Sequence, residues 1–380
     1  MNDSPTVAGK SELAEYSVVF TERALNHMSS SFQQVMCDIS AMLKQVYKAE
    51  AVALVPGGGT CGMEAVARQF ATGRKCLVLR NGWFSYRWSQ IFAAGQIPSA
   101  EVVLKARAQS TAVDAAFAPP PIEEVVRTIE REKPELVFAA HVETASGIIL
   151  PQAYLEELAR ATRAVGGLLV LDCIASGTAW VDMRASGVDV LLSAPQKGWS
   201  SVPSAALVML SSAATQRLEQ TTSSSFALDL RKWRALMAAY EGGAHAYHAT
   251  LPTDALVNLR DNMRETLDMG LAEARAAQEE LGQRVRTLLA EYGFPSVAAE
   301  GFAAPGVVVS HTRDEAIHSG SAFAGQGLQI ARGVPLACDE SDGFKTFRIG
   351  LFGLDKLKNI DATVERLQAT LDGMGLHSQS

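Results

Sequence analysis

Seven short apolar runs, most of them separated by amphipathic stretches, constrain this chain more than any other feature. They are Ala51–Val55, Cys76–Leu79, Val102–Leu104, Leu136–Ala140, Leu168–Leu171, Val188–Leu192 and Ala205–Leu210. Uniformly apolar segments of this length read as strands buried on both faces. The intervening helical patterns are clearest at Ile122–Arg131 and Ala153–Val165. Phe32, Val35, Met36, Ile39, Leu43 and Val46 mark an amphipathic helix ahead of the first strand. A further helical stretch runs from about Thr60 to Ala71. Strands alternating with helices predict an α/β fold, with a mostly parallel seven-stranded sheet between helices. The last two runs have only a short connection and are expected to pair antiparallel.

Beyond Leu210 the pattern changes. Residues 252–292 are rich in Ala, Leu, Glu, Arg and Gln at helical spacing, which predicts one long helix or two in succession. The tail has its own alternation: strand Val307–Val309, helix around Glu315–Phe323, strands Leu328–Ile330 and Phe347–Ile349, and helix from about Leu354 to Leu371. The expected organisation is an N-terminal arm (1–28), a large domain (29–255), a linking helix (256–292) and a small C-terminal α/β domain (293–380).

Composition narrows the function. Over 380 residues, 48% are hydrophobic and 20% charged, an ordinary globular mix with enough apolar material for a core. The net charge of −7 offers no basic surface to nucleic acid. No apolar run reaches the roughly 18 residues of a membrane span. Met1-Asn2-Asp3-Ser4-Pro5 has no charged and apolar leader pattern, so a cytoplasmic location is expected. Five cysteines, an odd number with no C-x-x-C pair, read as reduced thiols. His245 and His248 come nearest to metal-ligand spacing, but no further cluster accompanies them, and no metal is expected.

In an open parallel sheet, ligands bind beyond the carboxyl ends of the strands. After the first strand come Pro56-Gly57-Gly58-Gly59-Thr60 and a helix start, a combination suited to a phosphate. By itself that loop is equally a tight turn. Asp172 closes the Leu168–Leu171 run, where a carboxylate needs a positive partner. Lys197 follows the Val188–Leu192 run, where desolvation can neutralise an amine and make it a nucleophile. An anion cradle, an acid and a lysine on one sheet edge are what pyridoxal phosphate requires.

The sequence resembles the fold-type I, class V aminotransferases, close to the alanine–glyoxylate and serine–pyruvate group. The resemblance runs from about Phe32 to Leu371. It rests on Gly57-Gly58-Gly59-Thr60-Cys61-Gly62-Met63-Glu64-Ala65, Asn81-Gly82-Trp83-Phe84, Glu143-Thr144-Ala145-Ser146-Gly147, Leu171-Asp172-Cys173-Ile174-Ala175-Ser176, Ser193-Ala194-Pro195-Gln196-Lys197, Tyr247-His248-Ala249-Thr250 and Phe347-Arg348-Ile349-Gly350. It implies that Lys197 is the Schiff-base lysine and proton shuttle and Asp172 the pyridinium partner. Gly58, Gly59, Thr60 and Gln196 would hold the phosphate. Thr144 would touch the phenolic edge of the cofactor, and Phe84 and Ile174 would enclose its ring. Tyr247 and Thr250 would reach the phosphate of the neighbouring subunit in a homodimer, and Arg348 would grip the substrate carboxylate. The implied substrates are a small amino acid and a 2-oxo acid.

The chain departs from the family at Tyr16-Ser17-Val18-Val19-Phe20-Thr21, which stands where relatives carry a Gly-Pro-Gly-Pro segment. It departs again at Thr60, where relatives place a histidine or another residue. Two other chemistries compete. A lyase or desulfurase would use the same framework, with Cys338 as the only candidate reactive thiol. A dinucleotide oxidoreductase would use Gly57-x-Gly59-x-x-Gly62, but the next strand ends in Arg80-Asn81 without the acid that the fingerprint wants.

Overall fold

The computed structural model describes residues 13–378, so the first twelve residues of the expected N-terminal arm lie outside the described residues. The seven apolar runs form one sheet. Its strands are β1 (Ala51–Pro56), β2 (Lys75–Arg80), β3 (Ala100–Lys105), β4 (Leu136–Ala140), β5 (Leu168–Asp172), β6 (Val190–Ser193) and β7 (Ala205–Leu210), in the order β1-β7-β6-β5-β4-β2-β3. Neighbours from β3 through β6 run parallel, and β7 pairs antiparallel with both β6 and β1, as the short β6–β7 connection predicts. Register decides the site. Asp172 pairs with Ala140 on one side and Leu192 on the other, so the segments leaving β4, β5 and β6 emerge side by side.

Helices cover the sheet: α1 (Ser30–Tyr47), α2 (Gly59–Val66), α3 (Trp83–Gly95), α4 (Ile122–Glu132) and α5 (Gln152–Ala164). The helical stretch expected to Ala71 widens into a π turn over Ala67–Ala71. The helical stretch after residue 252 is two helices, α6 (Thr253–Met269) and α7 (Leu271–Glu291), broken at Gly270, whose φ of 93° no helix residue adopts. Leu256, Leu259 and Met263 of α6 belong to the large core, whereas Leu281, Val285 and Leu289 of α7 join a second core with Phe323, Phe347 and Leu371.

The C-terminal part holds a three-stranded antiparallel sheet in which β10 (Thr346–Gly350) lies between β8 (Val307–His311) and β9 (Ala331–Arg332). The strand expected at Leu328–Ile330 is therefore corrected to Ala331–Arg332. Ile330 instead packs against the second core from outside the ladder. The helix expected at Glu315–Phe323 is two short helices parted at Gly320, with φ 83°. The last helix likewise divides into Leu354–Leu357 and α8 (Ile360–Gly373). Among the described residues, all five cysteines are free, no helix is long and apolar enough to cross a membrane, and no group of three or more His, Cys, Asp or Glu could hold a metal.

Candidate active site

Lys197 is held by the packing of its neighbours. Fully buried Trp199 lies against Trp180 at 4.8 Å and Tyr47 at 6.2 Å between ring centroids. Gly198 passes so close to the backbone of Gly177 that a Cβ would sit 3.0 Å from its carbonyl carbon and nearer still to its oxygen. Ser200, at φ 55°, accepts a hydrogen bond from the Leu354 amide at 2.9 Å, which ties the loop to the C-terminal part. The Lys197 amine makes no hydrogen bond or ion pair among the described residues, and sits 5.6 Å from the centroid of Phe352. Burial pushes its pKa below the usual lysine value; Arg348 and Arg87 add to that, and Asp172 and Glu143 oppose it.

Asp172 is the last residue of β5 and nearly fully buried. Its Oδ1 accepts from the Ile174 amide at 2.9 Å, and its other oxygen has no donor among the described residues. Burial pushes its pKa up to about 6, against the Ile174 N–H and Lys197. Beside it, His141 donates its amide to the Asp172 carbonyl at 2.9 Å, and its Nδ1 lies 2.8 Å from Ser176 Oγ. Burial pushes that imidazole down to about 4, so it is neutral at physiological pH.

Gly58 caps α2, and nothing lies within 4 Å of where its side chain would be. Gly59 differs: a Cβ there would meet Ile174 Cγ1 at 2.9 Å and Cδ1 more closely. Glycine at 59 is thus what lets the Ile174 side chain reach the start of the helix. Thr60 Oγ1 accepts from Arg87 Nη1 at 3.1 Å. The Phe84 ring has Arg87 and Arg348 guanidinium carbons 5.0 and 5.4 Å from its centroid. Arg348, in β10, donates Nε to the Arg332 carbonyl at 2.9 Å and has no carboxylate within ion-pair distance among the described residues. Burial lowers its pKa, with Glu143 opposing.

Ile174, Thr60, Phe84 and Arg348 are thereby joined to Asp172 by a chain of contacts through Gly59 and Arg87, and the charges of Asp172, Arg348 and Arg87 all bear on the Lys197 amine. Thr144 lies half-buried in the adjoining loop, with its hydroxyl free of partners among the described residues, and Gln196 is exposed beside Lys197. Tyr247 and Thr250 stand apart. Tyr247 is 55% exposed, its hydroxyl 3.2 Å from Thr250 Oγ1, and its ring 5.5 Å from His27. The atypical N-terminal segment leads there too, since Phe20 packs on His27 at 5.6 Å. Sequence reasoning gave no role to Arg87, Phe352, His141 or Glu143. Arg87 had a legible signal, three residues after Phe84 and so on the same face of α3.

Sheet and site together define an α/β enzyme organised around a desolvated lysine amine facing a buried acid. A family model described as aminotransferase class-V matches residues 7–333. The chain belongs to the class-V aminotransferase family. Alanine–glyoxylate aminotransferase of Callithrix jacchus is 27% identical over 361 residues, 91% of this chain and 82% of that protein. A protein called soluble hydrogenase, small subunit, from Synechococcus sp. (strain PCC 6716) is 26% identical over 359 residues, 92% and 88% of the two chains. The crystal structure of ureidoglycine–glyoxylate aminotransferase from Bacillus subtilis shares the fold with a TM-score of 0.77 at 20% identity, over 94% of this chain and 89% of that one.

Proposed function

We propose that this chain is a pyridoxal-phosphate-dependent transaminase that moves an amino group from a small amino acid to a 2-oxo acid such as glyoxylate or pyruvate. The observation that carries this reading is the Lys197 amine, half-buried and unbonded, with its loop fixed on both sides, in the electrostatic reach of an acid with one free oxygen. The residues present fit the cofactor. The space at Gly58, the start of α2 and the Thr60 hydroxyl suit its phosphate, joined by Gln196. Asp172 would pair with the cofactor's ring nitrogen and favour its protonated form. Phe84 and Ile174 bound the ring, and Thr144 offers its free hydroxyl to the phenolic edge. When bound, the cofactor supplies an electron sink for the pair left on the substrate's α-carbon.

Lys197 would hold the cofactor. Its amine, whose burial disfavours the charged form, is the group placed to move the substrate's α-proton. Arg348, a guanidinium without a carboxylate, binds the substrate carboxylate as a two-pronged donor. Tyr247 and Thr250 complete the phosphate site of a second subunit in a homodimer. The glyoxylate enzymes among the relatives support the choice of acceptor.

The competing chemistries lose support in the geometry. Cys338 is buried, donates to the Arg80 carbonyl at 3.2 Å, and has its pKa pushed up to about 12, the opposite of a reactive thiol on a mobile loop. The Gly57–Gly62 fingerprint follows an edge strand, β1, that bonds to antiparallel β7, whereas a dinucleotide site needs a central strand at a switch point. The deciding experiment is a half-reaction screen. The yellow holo-protein, mixed with single amino acids, loses its colour with the donor and regains it with a 2-oxo acid, and steady-state plots are parallel. Continuous release of ammonia or sulfide without a 2-oxo acid would overturn transamination.

A further inference from the structure

Glu143 is fully buried and accepts four hydrogen bonds: from the Phe84 amide at 3.1 Å, the Ser85 amide at 2.8 Å, Ser85 Oγ at 2.7 Å and the Ala145 amide at 2.9 Å. Three of these donors belong to the first turn of α3, where free amides and the helix dipole favour an anion. The fourth lies in its own loop. The approach requires glycine at 82, since a Cβ there would meet Glu143 Cγ at 2.7 Å and Cδ at 2.8 Å. Ser146 Oγ, donating to the Asn81 carbonyl at 2.8 Å, ties the same two segments a second time. Glu143, the residue before Thr144, thus joins its own loop to the residue that bears the Phe84 ring, and nothing in the transaminase reading uses it.

We propose that Glu143 is a positioning residue, whose carboxylate fixes Phe84 and Thr144 relative to one another across the cofactor site and stands among the charged groups around Lys197. The inference rests on the transaminase reading for what Phe84 and Thr144 hold, but the charge does not depend on it. The groups that bear on the Lys197 amine are Asp172 from β5, Arg348 from β10, Arg87 from α3 and Glu143 from the loop after β4. Of these, Asp172 and Glu143 raise its proton affinity and the two arginines lower it.

The test compares Glu143→Gln and Ser85→Ala with wild type in two measurements. The first uses apo-protein: amine acylation across pH, read at Lys197 by residue-resolved mass spectrometry. Gln keeps the shape and removes the charge, so the midpoint for Lys197 falls by about half a unit to one unit. Ser85→Ala keeps the charge and leaves the midpoint unchanged. The second is the dissociation constant of pyridoxal phosphate, from quenching of tryptophan fluorescence. Loss of these bonds weakens it about tenfold or more in Glu143→Gln and several-fold in Ser85→Ala. A Glu143→Gln protein with the wild-type midpoint and wild-type affinity overturns the proposal. If that variant does not fold, wild-type affinity in Ser85→Ala overturns it. A wild-type protein that binds no pyridoxal phosphate overturns the transaminase reading instead, and the acylation midpoint still decides the role of the charge.

Discussion

A carboxyl group at the end of a buried strand is disfavoured as an anion until a cation meets it. Asp172 shows this directly, with its pKa pushed up to about 6 by burial. Between about pH 4 and pH 6 the folded apo-protein holds a proton at Asp172 that the unfolded chain has already lost, so this residue's contribution to stability falls as pH rises through that window. A rise of about two units corresponds to about 3 kcal/mol above the window. Asp172→Asn removes the titration. Its apo-protein is expected to melt above wild-type apo-protein near about pH 7, with the difference closing below about pH 4, while turnover is largely lost. Thermal melts across that range check it; a difference independent of pH would show that the substitution acts by packing alone. Asp172 and Lys197 were legible because the apolar runs placed them at strand ends. Glu143 was visible as a letter in a matching segment but not as a function, because three of its four donors, the Phe84 and Ser85 amides and Ser85 Oγ, are brought near only by the fold.

At the scale of elements, the sheet was legible strand by strand, because continuous apolar runs have no other way to bury both faces. The small sheet was not. Its β9 has only two residues, both exposed, and Leu328–Ile330 looked more like a strand because those residues pack on the second core from outside the ladder. The helix break at Gly320 was likewise hidden, since apolar spacing continues across it, whereas at Gly270 the sequence had left one helix or two open. The start of α2 gives a prediction that separates crowding from chain stiffness. Gly58 faces open space, and Gly59 faces Ile174. Gly58→Ala should leave apo-protein stability within about 0.5 kcal/mol of wild type, as an uncrowded change does. On the proposed reading, in which that space would take the phosphate, it should nonetheless weaken pyridoxal phosphate binding. Gly59→Ala should destabilise the apo-protein itself by about 1–3 kcal/mol through overpacking. Adding Ile174→Val should restore part of that loss, since the two side chains share one contact. Melting temperatures and cofactor titrations of the four proteins check the pattern. Equal loss in both single variants, with no rescue, would show that Ile174 is not what excludes a side chain at 59.

The whole molecule leaves Tyr247 and Thr250 on a surface, apart from the contacts that surround this chain's own Lys197. Tyr247 is 55% exposed, and Tyr16 and Phe226 are exposed to 92% and 80%. The rings connect through histidines: Phe226 lies 5.0 Å from His248, and Phe20 and Tyr247 both lie against His27. Large exposed side chains beside two hydroxyls that a phosphate would use fit a face that a second copy covers, and a two-fold axis would supply the hydroxyls to both sites at once. The prediction is complementation. Lys197→Ala is inactive alone, and Tyr247→Phe/Thr250→Ala is weak alone. In a heterodimer of the two, one site combines the Lys197→Ala chain with the altered hydroxyls of its neighbour and carries both defects. The other site has an intact lysine and intact hydroxyls from the Lys197→Ala chain. Activity per heterodimer should therefore rise to about half that of the wild-type dimer, as two-fold reciprocity requires. Differently tagged subunits, dissociated, mixed and purified through both tags, make the measurement. Heterodimers isolated in this way with no gain over the weaker parent would place Tyr247 and Thr250 in the service of their own chain, and full activity at monomer mass would remove the shared site altogether.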